Sequence, residues 1–189
     1  IHPSGFLVSV NRDLAKMEIL ALDGLPVPLA NAPTGRLALG EGDRAGLLSD
    51  PVAVTVSGDG DILVLEQGNR RVSAFDQHGS VRPIFGDREA PRNHFDLTGI
   101  DASAVLLDLD VESTGLVFVL GYGNGGASKD DYFVQVYSSA GALIDTVLGV
   151  AAGRMAVDHF RNLFTLNYET VLGPDGAIEP SISLWAPLP

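Results

Sequence analysis

The side chains that could do chemistry in this chain are carboxylates, four histidines and a few tyrosines. There is no cysteine, so thiol nucleophiles, disulfides and thiolate metal sites are excluded. The histidines are His2, His78, His94 and His159, far apart in sequence and without a metal-binding spacing. Catalytic zinc needs about three converging protein ligands, so no zinc motif is present. Asp59-Gly60-Asp61 looks like the start of a calcium loop, but lacks the later ligands and the final Glu, and reads as a hairpin turn. Asp108 and Asp110 alternate along one apolar run and therefore point to the same side of a strand. Such a pair can hold a cation or poise an acid; the plainer expectation is a pair edging solvent. Gly121–Gly126 is glycine-rich but matches no phosphate-binding or dinucleotide fingerprint, and no helix follows it. No nucleophile–base arrangement can be drawn from spacing.

The elements around these residues are short strands. Val52–Val56, Ile62–Glu66, Arg71–Phe75 and Val81–Phe85 are rich in β-branched and apolar residues. Ser57–Asp61, Gln67-Gly68-Asn69 and Asp76–Gly79 separate them as turns. Four antiparallel strands in about 40 residues make one blade of a β-propeller. The pattern repeats with Ala104–Glu112, Leu116–Leu120, Tyr132–Tyr137 and Leu143–Leu148. The connection between the second and third of these, residues 121–131, is enlarged. A further unit starts at Gly153 with Met155–Asp158, Leu163–Asn167 and Ser181–Trp185. An earlier one holds Phe6–Val10, Met17–Asp23 and a last strand within Val27–Leu39.

Residues 47–86 resemble an NHL repeat. The features that carry the likeness are Asp50-Pro51, Asp59-Gly60, Asn69-Arg70-Arg71-Val72, Phe75-Asp76, Gly79 and Phe85-Gly86, after a Gly-rich linker Leu39–Gly46. The expected fold is therefore all-β: a β-propeller of four-stranded antiparallel blades. As a single domain, residues 1–189 hold a partial blade at about 1–40, blades at 47–86 and 100–149, and a partial blade at 153–189. The resemblance implies a six-bladed ring, which needs on the order of 240 residues. Three to four blades are accordingly expected to be an incomplete segment, completed by further blades of the same polypeptide or by a protein partner. The phase suggests a start after an innermost strand and a stop before an outermost one. A first residue Ile1 rather than Met points to a processed or partial polypeptide.

The resemblance also sorts the loops. Linkers between blades and the loops joining second to third strands share one face, where propeller sites usually lie. It places Asp43, Asp50, Asp87, Glu89, Asp96, Asp130, Asp131 and Glu169 there, with His94 in the linker Asp87–Thr98. His78 and His159 fall on the opposite face and His2 at a frayed start. Arg71 is expected to pair with a carboxylate or with backbone carbonyls at the blade corner.

Two long loops on the site face, 121–131 and Tyr168–Pro180, are expected to form a recognition surface through Tyr122, Asn124, Asp130, Asp131, Tyr132, Tyr168 and Glu169. The first is expected to be a mobile surface loop. An alternative site at the channel mouth would use His94, Asp96, Asp108 and Asp110. No cofactor is called for: Ca2+ or Zn2+ are the ions these side chains could hold, and no motif supports either.

Composition narrows the partners. Hydrophobic residues make up 46% of the chain and mean hydropathy is +0.21, as expected of strands buried on both faces. No apolar run approaches the ~20 residues of a membrane-spanning helix. With 12 basic and 24 acidic residues the net charge is −12, unsuited to nucleic acid or anionic membranes. A secreted or cell-envelope setting is favoured over others. The expected function is a non-catalytic protein-binding or assembly module in a longer chain or a complex. The rivals are a propeller lyase or hydrolase with a metal or acid–base site at the channel mouth, and a carbohydrate-binding surface domain using Tyr122, Tyr132 and Tyr168.

Overall fold

The computed structural model describes residues 2–27, 36–37, 41–167 and 181–185, with residues 36–37 described as backbone only. Strands β1 (Phe6–Asn11), β2 (Lys16–Ala21) and β3 (Arg36–Leu37) form one antiparallel sheet in that order. The second sheet holds β4 (Pro51–Val56), β5 (Ile62–Glu66), β6 (Arg71–Phe75) and β9 (His94–Asp96). A separate hairpin, β7 (Phe85–Asp87) with β8 (Ala90–Arg92), precedes β9. The third sheet is β10 (Val105–Val111), β11 (Val117–Tyr122), β12 (Tyr132–Tyr137) and β13 (Leu143–Leu148). The fourth is β14 (Arg154–Val157), β15 (Leu163–Asn167) and β16 (Ser181–Trp185). None of the described residues forms a helix long and apolar enough to cross a membrane.

The sheets stack face on face. β4 packs beside β10 and β10 beside β14, so these are the inner strands of neighbouring blades. β5, β6, β11 and the buried part of β12 have side chains hidden on both faces. One apolar cluster joins the second and third blades through Leu63, Leu65, Val72, Phe85, Phe95, Leu109, Val119 and Tyr137. Others join the first blade to the second and the third to the fourth. Continuous apolar strands are what this stacking requires, since no sheet face is left to water between blades.

β1 is an edge strand of its sheet and packs beside β4. Its turn into β2 has left-handed Ala15 (φ 46°) where the β5–β6 turn has Arg70 (φ 54°). Arg12 of that turn pairs with Asp50 at the head of β4.

One strand differs from expectation. Val81–Phe85 does not close the second blade. Val81 makes a single bridge to Phe75, Phe85 leaves into the β7–β8 hairpin, and β9 returns to pair with β6. The hairpin is held because Gly86 N donates to Ala140 O of the third blade (2.9 Å) and Phe85 meets Phe95 edge-on at 4.9 Å. Burying both rings fixes the detour.

Candidate functional site

The 123–131 loop emerges where β11 and β12 end opposite each other at Tyr122 and Tyr132, whose rings lie 5.2 Å apart. It is built of two 3-10 turns, Asn124–Gly126 and Lys129–Asp131. Gly123 N donates to Asp131 O (2.9 Å), closing its base. Ser128 caps the second turn: its Oγ accepts from Asp130 N (3.2 Å), and its own N–H donates to Asp131 Oδ2 (2.8 Å). Asn124 Nδ2 donates to Asp131 Oδ1 at 3.3 Å. Gly126, at φ +66°, lies against Tyr122 so closely that a Cβ there would come within 2.8 Å of the ring. Glycine is needed for both reasons.

This division separates the expected site residues. Asn124 and Asp131 are occupied in holding the loop. Tyr122 and Tyr132 are half-buried, and Asp130 projects into solvent. Between the loop and the linker to the third blade runs a groove of about 230 Å3, with Ile100, Phe133 and Leu148 as apolar lining and Asp101, Asp130 and Asp131 at its edge. The Ser103 hydroxyl and amide donate to Asp101 (2.6 and 2.7 Å) and hold its carboxyl below the ordinary range. Tyr168 and Glu169, with the Tyr168–Pro180 loop, lie outside the described residues.

Asp108 and Asp110 do share a side of β10, and what they do there was not legible from spacing. Asp108 Oδ2 accepts from Met155 N (2.8 Å) and Asp110 Oδ2 from Val157 N (2.7 Å). Asp110 Oδ1 accepts from the Thr55 hydroxyl (3.0 Å) and from Val111 N (2.9 Å). Arg154 donates to Leu107 O at 2.8 Å and stands 3.9 Å from Asp108. Inner strands of adjacent blades have edge N–H groups with no ladder partner, and these carboxylates supply one. The pair stitches three blades together along the axis. Burial pushes the Asp108 carboxyl above its ordinary value, against the hydrogen bonds from Met155 and Leu109.

His94 and Asp96 are not in a linker. They belong to β9, the outer strand of the second blade, opposite Ser73 and Arg71. Three strand spacings of about 4.8 Å separate that strand from the inner one of its own blade. The four residues proposed for the channel mouth are therefore not brought together. Asp87 sits in the β7–β8 hairpin and Glu89 in its turn. His2 is buried, not frayed: Nε2 lies 2.9 Å from Gly60 O and the ring stacks on Phe6. Among the described residues no three His, Asp or Glu side chains converge to hold a metal.

The most fully satisfied polar cluster is one that spacing did not single out as a whole. Glu66 is completely buried; Oε1 accepts from Arg71 Nε (2.8 Å) and Ser73 Oγ (2.5 Å), and Oε2 from Asn69 Nδ2 (2.6 Å) and Ser49 N (2.9 Å). Arg71 continues to Asp43 O (2.6 Å) and Leu47 O (2.9 Å), the pairing with carboxylate and carbonyls expected of it. The cluster pins the linker between the first and second blades. A charged residue ending an otherwise apolar strand, three residues before Asn-Arg-Arg, was the available signal.

Four-stranded antiparallel sheets stacked face on face, with inner strands side by side, define a β-propeller-like fold, left open here. Solved structures agree. Virginiamycin B lyase from Staphylococcus aureus matches 96% of this chain and 53% of its own at 12% identity and a TM-score of 0.57. Hydrazine synthase from Kuenenia stuttgartiensis matches 95% and 42% at 12% identity and 0.54. A protein of unknown function from Bacteroides caccae matches 87% and 50% at 14% identity and 0.53. The chain spans about half the length of these structures, and at such identities the likeness is one of fold alone. No protein-family model and no curated protein matches the chain.

Proposed function

We propose that this chain is a non-catalytic binding and assembly module, an NHL-like propeller segment completed by further blades of the same polypeptide or by a partner protein. The observation that supports it is the far face of the fourth blade. Met155, Leu163 and Thr165 turn toward the third blade and are buried. Of the alternate positions, Ala156, Phe164, Leu166, Ile182 and Leu184 are apolar and Arg154 is charged, and Ile182 and Leu184 are 76% and 65% exposed. A sheet facing water on one side alternates apolar with polar residues. Apart from Arg154, this one carries the two-sided apolar pattern of β5 and β11, and among the described residues only one side is covered. Burying each such side chain stabilises by about 1.5–3 kcal/mol, so the face favours a second sheet.

The test is residue-level footprinting of the intact protein in its native assembly. Ile182 and Leu184 are expected to be labelled far less than Leu22, which is similarly exposed on the first blade at 66%. Equal labelling of all three in the intact protein refutes the assembly role.

A further inference from the structure

The second and third blades are packed shut over most of their contact but part at the face carrying the first-to-second-strand turns. There they leave a cleft of about 440 Å3, lined on one side by 57–61 and 82–85 and on the other by 111–117 and Ser139. That volume falls in the range of about 300–1,000 Å3 typical of small-molecule sites. Its floor is the end of the shared core: Leu63, Phe85 and Val117 are buried, with Ile84 and Val111 beside them. Its charge is one-sided. Arg82 is paired with Asp61 at 2.7 Å, leaving Asp59 and Glu112 without a cation among the described residues.

Glu112 is the unusual group. The residue is 3% exposed, yet its carboxylate has only neutral donors: the Thr114 hydroxyl, Leu116 N (3.3 Å) and Ser113 Oγ (3.3 Å). Burial raises its pKa, and the donors from Thr114, Leu116 and Ser113 together outweigh that and hold it below the ordinary value, so it is ionised at neutral pH. The donors hold the charge in place but are neutral, so the anion keeps its charge without a counter-ion, whereas Glu66 of the same chain has a buried cationic partner in Arg71.

We propose that this cleft is a binding site for a small organic cation: an alkyl- or arylammonium whose apolar body rests on Leu63, Ile84 and Phe85 and whose charged group meets Glu112. The site lies on the face opposite the 123–131 loop and stands independently of the assembly role.

Titration of the folded protein with phenethylammonium, followed by amide NMR shifts, tests it. Shifts are expected to be confined to 57–61, 82–85, 111–117 and Ser139, and to be absent or several-fold weaker with 2-phenylethanol and 3-phenylpropionate. Glu112→Gln is expected to weaken binding about tenfold, the loss of one charge-assisted contact. The neutral and anionic analogues on the unaltered protein decide the matter even where that variant fails to fold. No shifts, shifts centred elsewhere, or an equal response to the alcohol overturns the proposal.

Discussion

Replacing Glu66 by Gln should be among the most damaging isosteric changes in the molecule. The carboxylate receives four hydrogen bonds, two on each oxygen, from Arg71, Ser73, Asn69 and Ser49. An amide presents one oxygen and one NH2. Whichever way it is turned, at least one fixed N–H donor, Arg71 Nε or Ser49 N, faces a donor, and Arg71, 4% exposed, loses its counter-charge. Leaving one partner of a buried pair uncompensated costs about 3–5 kcal/mol. For a domain of this size each kcal/mol lowers Tm by about 2–4 °C, so a fall of roughly 6–20 °C is expected. The assay is calorimetry with urea unfolding of Glu66→Gln, Arg71→Met and the double variant. Because the charges are coupled, the double variant should lose clearly less than the sum of the singles. It should still lose something, since the Asp43 and Leu47 carbonyls lose their donor. A Glu66→Gln loss below about 1 kcal/mol, the value of an ordinary hydrogen bond, would refute the cluster's role as the anchor of the linker.

The inner-strand carboxylates should respond differently from each other. Asp108 has its pKa raised by burial, so its ionisation opposes folding as pH rises through the folded-state value; Asp108→Asn removes that charge while keeping an acceptor for Met155 N. It should change stability at pH 7 by less than about 1 kcal/mol, whereas Asp110→Ala, which orphans Val157 N, Val111 N and the Thr55 hydroxyl, should cost about 1–3 kcal/mol in urea unfolding. Glu112 has the opposite sign: its lowered pKa gives stability that is present above the unfolded value and lost as pH falls through the folded one. Thr114→Ala should therefore lower stability at neutral pH and shrink the part of it that is lost on acidification, read from unfolding at a series of pH values. Gly121→Ala should cost about 1–3 kcal/mol by overpacking, because a Cβ there comes within 2.7 Å of both the Phe133 ring and Val105 O; an unchanged midpoint would show that β11 shifts freely.

Much of the architecture was written in local chemistry. β5, β6, β12, β13, β15 and β16 fall where alternation and turn residues place them, because strand period and Gly- or Asp-rich turns act over a few residues. The missed outer strand of the second blade shows the limit. Val81–Phe85 and His94–Asp96 are both short segments with apolar residues, and which one closes the sheet depends on Phe85 meeting Phe95 and Gly86 meeting Ala140. Asp108 and Asp110 were legible as a same-side pair, but their partners lie 47 residues away in another blade. Asp131 and Asn124 were legible as loop polar groups, and only the turn geometry shows that they hold the loop. By itself, then, the sequence determined most of the strands, their turns and a strongly acidic net charge. The tertiary structure alone decided which polar groups are spent on the scaffold and which, like Glu112, stay charged in a cleft, because hydrogen-bond satisfaction in a buried site depends on what distant strands bring to it.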